Sequence, residues 1–245
     1  MTMAHILTAF DRDLESAQAL VMRMGGLVET ALLDAAEALE ARDGDLAQRV
    51  RAGDTAIDEL EDQINRECAR LIALRGPTAG DLRTVLTVMK IAAALERAGD
   101  YAKNLAKRSV VLAEMQQVPG ASAAIRRLAK AVVQMLADAL DAYIRRDVKL
   151  AEDVRQRDRD IDQMYNSIFR ELLTHMMEDP RNIGPCMHLH FIAKNIERVG
   201  DHATAVAEQV IYLVTGSLPE EARPKVDSTG NSSGGSSGTA SARGA

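Results

Sequence analysis

"LAQRVRAGDTAIDELEDQI", residues 46–64, and "LAEDVRQRDRDIDQMYNSI", residues 150–168, are one segment written twice. At an offset of 104 positions Leu46 meets Leu150, Val50 meets Val154, Asp54 meets Asp158, Ile57 meets Ile161, Asp58 meets Asp162 and Ile64 meets Ile168. Further along the offset becomes 101, and "ERAGDYA" (96–102) meets "ERVGDHA" (197–203). The change of offset places a shorter loop in the second copy. In both copies the apolar residues recur at spacings of three and four, which puts them on one side of an α-helix.

The same spacing extends outward from this pair. Residues 5–42 carry Leu7, Phe10, Leu14, Ala17, Val21, Met24, Val28, Ala31, Ala35 and Leu39 as one long stripe. "RDGD" (42–45) interrupts it, and the next stripe runs Leu46, Val50, Gly53, Ile57, Leu60, Ile64, Cys68, Leu71. Gly76 and Pro77 stop that helix, and Thr78 or Asp81 is placed to cap the following one. A third stripe passes through Leu82, Val85, Met89, Ala92, Leu95, Gly99, Ala102 and Leu105. After a loop at 116–122 the plan repeats. One helix over 121–146 has Ile125, Leu128, Val132, Met135, Ala139 and Ile144 inward, one over 147–178 follows, and a last one spans 184–215. The expected fold is all-α: two tandem antiparallel three-helix bundles, six long helices, over residues 1–118 and 119–217. Residues 218–245 are rich in Gly and Ser and have little to bury, so a disordered tail is expected there.

Composition agrees with this and narrows the function. Of 245 residues, 47% are apolar but only 3% aromatic, with no Trp, which suits helices packed through Leu, Ile, Val, Met and Ala. The net charge of −6 gives no general basis for nucleic-acid binding. Cys68 and Cys186 stand alone, without the paired spacing of a thiolate zinc site, and both are expected in the core of a chain held in a reducing compartment. No basic-then-apolar leader and no long apolar run is present, so a cytoplasmic location is expected. No P-loop, nucleophile elbow or Glu-x-x-His pair is present, and an enzyme is not expected.

Chemistry concentrates in four acid pairs: Asp54/Asp58, Glu96/Asp100, Asp158/Asp162 and Glu197/Asp201. A spacing of four puts both carboxylates on one helix face, about one turn apart. If the second and third helices of each copy run antiparallel, their pairs meet, and like charges there call for protons or cations. Oxygen ligands without thiolate favour Fe, Mn, Mg or Zn. Gly53, Gly99 and Gly200 are expected to leave room beside the acids. His202 is a candidate extra ligand in the second copy only, although a surface histidine accounts for it as well. Solvated acid faces account for the pairs themselves if they do not converge.

The duplicated unit, with "GDTAIDELEDQI", "PTAGDLRTVLTVMKIAAALERAGDYAKNLAK" and "NIERVGDHATAVAEQV", resembles the PhoU family over residues 5–216. One departure stands out: "RNIGPCMHLHF" replaces the family's Pro-x-x-x-Asp-Leu-Arg entry to the last helix. The resemblance implies multinuclear metal clusters, chiefly iron, on Asp54, Asp58, Glu96, Asp100, Asp158, Asp162, Glu197 and Asp201. It also implies a negative regulator of phosphate uptake and of the phosphate-starvation regulon. The implied partners are the ATPase subunit of the phosphate ABC transporter and a membrane sensor histidine kinase, and a homodimer is expected. The alternative is a helical protein that buffers metal or phosphate without signalling.

Overall fold

A computed structural model describes residues 3–219, and all its regular elements are helical. The helices are α1 Met3–Ala41, α2 Gly44–Arg75, α3 Ala79–Ala113, α4 Ala121–Arg145, α5 Val148–Glu178 and α6 Ile183–Thr215, with one 3₁₀ turn at Pro180–Asn182. The tail expected from 218 lies outside the described residues from 220 onward, as does the Leu7 side chain.

Local chemistry sets the helix ends. Arg42 adopts φ +57°, and its neighbour Asp43 caps α2 by accepting the Leu46 N–H at 2.9 Å. Arg146 and Asp147 repeat this 104 positions later: Arg146 has φ +53°, and Asp147 accepts the N–H groups of Lys149 and Leu150. Arg42 also donates to the carbonyls of Ala113 and Met115, which closes the end of α3. Gly76 takes the left-handed position after α2 at φ +54°, where a Cβ would be strained. Thr78 is the residue before α3, but its hydroxyl donates to Asp81 rather than accepting a backbone N–H.

Each copy closes as a three-helix unit: α2 packs on α1 and α3, and α5 packs on α4 and α6. The units also pack on each other, α1 against α4 and α3 against α6. The four helices α1, α3, α6 and α4 therefore form a ring, with α2 and α5 filling the outer grooves. One broad face presents α2, α3, α6 and α5 in that order. Arg126 of α4 donates to Glu40 of α1 across the join.

The core follows the expected stripes with two exceptions. Ile144 was expected inward but is 49% exposed, and Tyr143 is buried in its place. Four residues on from Ala139 the stripe reaches 143, so the apolar character of Ile144 misled the register. On α2 the stripe passes through Asp54 and leaves Gly53 exposed, a choice that spacing leaves open because 50, 54, 57 and 50, 53, 57 span the same arc of the helix. Cys68 and Cys186 are both buried as free thiols.

Candidate metal centre

The antiparallel pairing of α2 with α3 brings the first two acid pairs to one groove. Asp54 is buried at 4% exposure, and Asp58 lies one turn on at the wet edge. Glu96 and Asp100 face them from α3, both part-buried. Their mutual influence appears in their proton affinities. Burial pushes the Asp58 carboxyl up, and the charges of Asp54, Asp100 and Asp62 add to this against the pull of Lys103. Burial likewise raises Glu96, and Asp100, Glu61 and Asp58 add to it.

The second groove, between α5 and α6, repeats the arrangement with different detail. Glu197 is buried, its carboxyl raised by burial and then by Asp201 and Asp162. Its Oε1 accepts from Lys194 at 2.7 Å, while its Oε2 is buried with no hydrogen-bond partner. Asp158 accepts from the Thr204 hydroxyl at 3.1 Å, and Asp201 is part-buried beside Glu197.

Two counter-charges were missed in the sequence. Lys103 donates to Asp54 and lies 3.9 Å from Asp100; this hydrogen bond holds its ammonium above the usual lysine range. Lys194 donates to Glu197 at 2.7 Å. The repeat offers a partial signal for the first: Lys103 aligns with Thr204, and both address the equivalent aspartate, Asp54 or Asp158. Lys194 aligns with Ala93 and has no such signal.

The glycines divide. A Cβ on Gly99 would stand 3.0 Å from Ile57 Cδ1 and 3.8 Å from Asp54 Oδ1; one on Gly200 would stand 3.3 Å from Ile161. These two let α2 and α5 approach the acid-bearing helices. Gly53 has nothing within 4 Å and makes no such room.

The donor set fits a hard or borderline cation in its chemistry. All eight groups are carboxylates, three of them hold protons more tightly than usual, and the buried Glu197 Oε2 lacks a donor. Two lysine ammonium groups already stand against these oxygens, as a cation would. With the side chains so placed, no three His, Cys, Asp or Glu among the described residues are gathered into a metal-holding set. His202 packs its ring 5.8 Å from Tyr101, on the side of α6 toward α3.

The sequence pattern of the PhoU domain matches this chain twice, over residues 21–109 and 125–210. The chain belongs to the PhoU family. Two curated relatives, both named phosphate-specific transport system accessory protein PhoU homolog, come from Caulobacter vibrioides and Rhizobium meliloti. The first is 46% identical over 91% of this chain and 97% of its own length. The second is 46% identical over 94% and 97%. The crystal structure of PhoU from Pseudomonas aeruginosa superposes with a TM-score of 0.82 at 41% identity, over 85% of this chain and 100% of that one. The phosphate transport system regulatory protein PhoU from Streptococcus pneumoniae gives 0.79 at 31%, over 86% and 99%. The PhoU repeats coincide with the two halves of the acid pattern, α2–α3 and α5–α6.

One titration follows from the second half. His190 packs among Tyr165, Phe169 and Phe191, and burial lowers its pKa below 6.5, with Lys194 adding to the effect. A lowered value means the unfolded chain takes the proton first. This part of the stability is full above pH 6.5 and is lost as pH falls through 6.5 toward the folded value. His190→Phe is expected to flatten the fall in melting temperature over that window, measured by circular dichroism across a pH series. An unchanged slope would show that His190 protonates freely in the folded chain.

Proposed function

We propose that this PhoU-family chain is a negative regulator of phosphate uptake and of the phosphate-starvation response, acting by contact with other proteins. The observation that carries this is full-length kinship: relatives named as accessory proteins of phosphate-specific transport align over nine-tenths of the chain. The partners are the ATPase subunit of the phosphate transporter and the cytoplasmic part of a sensor kinase, which places the chain in the cytoplasm. No helix of the described residues is long and apolar enough to cross a membrane.

The metal reading belongs to the same proposal. Asp54, Asp58, Glu96 and Asp100 would hold one group, and Asp158, Asp162, Glu197 and Asp201 the other. A bound cluster would supply positive charge that fixes the spacing of the paired helices. The chain's own part is to bring the carboxylates together on α2/α3 and α5/α6 and to shield one oxygen of Glu197 from water. Lys103 bridges α3 to α2, whereas Lys194 pairs with Glu197 of its own helix and reaches α5 only at the Tyr165 ring.

The test is a reporter driven by a phosphate-starvation promoter, read in phosphate-rich medium. Deleting the gene for this chain is expected to switch the reporter on, and restoring it to switch the reporter off. A reporter that stays silent after deletion overturns the regulatory reading.

A further inference from the structure

The broad face formed by α2, α3, α6 and α5 carries acids in its two outer grooves and cations along its centre. On α3, Arg83, Lys90 and Arg97 follow one another at seven-residue spacing. They therefore recur about every 10.5 Å along nearly one line of the helix. Antiparallel α6 presents Phe191, Arg198 and Tyr212 at multiples of seven beside it. Across the groove, cations and rings interleave. Arg83 and Lys90 each stand 5.6 Å from the Tyr212 ring, Arg198 stands 5.8 Å from Tyr101, and Arg108 stands 4.6 Å from Phe191.

Among the described residues, Arg83, Lys90, Arg108 and Arg198 meet rings rather than carboxylates. Arg97 differs, lying 3.6 Å from Glu96 and 3.8 Å from Asp100. On a chain of net charge −6, these four mutually repelling cations meet rings rather than a carboxylate among the described residues. The rings hold these side chains in place without neutralising them. Apolar surface lies in the same row, with Leu86 41% and Phe191 44% exposed.

We propose that the α3/α6 groove docks an acidic amphipathic helix of a partner protein, its carboxylates meeting Lys90, Arg108 and Arg198, its apolar side chains covering Leu86 and Phe191. The assignment rests on the reading that this chain works through protein contacts, and it names the surface and the chemistry of one partner. The groove from Arg83 to Arg108 is about 38 Å long, the length of a helix of about 25 residues. The acids on either side favour a helix over a flat anionic membrane. Glu96 and Asp100 border it on one side, Glu197 and Asp201 on the other. A bilayer spread over the face would press on those acids, whereas a single helix fits between them.

The probe is a fluorescent, helix-stabilised peptide of about 25 residues with Glu at seven-residue intervals and Leu on the adjoining stripe, titrated against the full chain. Saturable binding is expected, weakened by added salt as screening shortens the reach of the charges. Lys90→Glu, Arg108→Glu and Arg198→Glu together are expected to weaken it about tenfold or more. The same charge change at exposed Arg127, Lys130 and Lys149, on α4 and α5, should leave it unchanged. Melting curves of both triple variants confirm that each is folded.

The assignment is overturned by any of four results: no saturable binding; equal loss in the two triple variants; equal binding of the peptide with Lys in place of Glu; or capture of phosphatidylglycerol vesicles without capture of the peptide. The reporter assay separates this from the regulatory reading. Deletion that derepresses the reporter, with no peptide binding, removes the groove assignment alone. Peptide binding with an indifferent reporter removes the regulatory reading and leaves the groove as a docking site.

Discussion

Gly99→Leu is expected to lower the melting temperature by roughly 4–10 °C, corresponding to about 2–3 kcal/mol of overpacking in a chain of this size. A Cβ alone would already stand 3.0 Å from Ile57 Cδ1 and 3.2 Å from its Cγ2. The longer side chain has to push α2 away from α3, since Ile57 is itself buried at 2% exposure. Gly200→Leu should act alike, because its Cβ would meet Ile161 at 3.3 Å and Val132 at 3.7 Å. Gly53→Ala is the control with the opposite sign. Nothing lies within 4 Å of that position, and alanine in an exposed helix interior is worth about 0.5–1 kcal/mol over glycine. Thermal melts of the three variants decide the matter. A neutral Gly99→Leu would mean that the α2/α3 contact is looser than its geometry.

The second large effect concerns metal. Asp100→Asn and Asp201→Asn together remove one charge from each groove while keeping the shape of the side chain. If the grooves hold clusters, metal carried through purification should fall at least about tenfold, read by elemental analysis. The metal-free protein should respond in the other direction. Asp100 helps to raise the carboxyls of Asp58 and Glu96, and Asp201 helps to raise Glu197. Removing these like charges relieves repulsion, so the chelated variant should melt no lower than the chelated parent. Equal metal content in variant and parent would reject these aspartates as ligands. A lower melt after chelation would reject the view that they oppose each other. Lys103→Met supplies the converse check, because freeing Asp54 from its ammonium should raise metal uptake.

Much of this architecture was legible because helical periodicity is a local property. The repeat at offsets 104 and 101, the breaks at 42–45 and 75–81, and the convergence of Asp58 with Asp100 follow from spacing within one helix or between consecutive helices. Misses came where packing between distant helices decides. Ile144 is a different kind of miss, because the local stripe itself reaches Tyr143, four residues on from Ala139, and only the apolar character of Ile144 pointed elsewhere. Asp54 entered the buried stripe because Lys103, 49 residues away, meets its carboxylate there. Gly25 carried no signal in the sequence, yet a Cβ at that position would stand 2.3 Å from Leu140 Cδ1, where α1 crosses α4. Such contacts join the copies, and a pattern read within each copy does not contain them.

That join explains why neither half would stand well alone. Ala98, Ala102 and Leu105 of α3 and Val199, Ala203 and Val206 of α6 are all fully enclosed at 0% exposure. Either half by itself would show this oily wall to water. One polypeptide holds both walls together at any dilution, and the two halves differ in charge where they are otherwise alike, Lys103 on one side and Thr204 on the other.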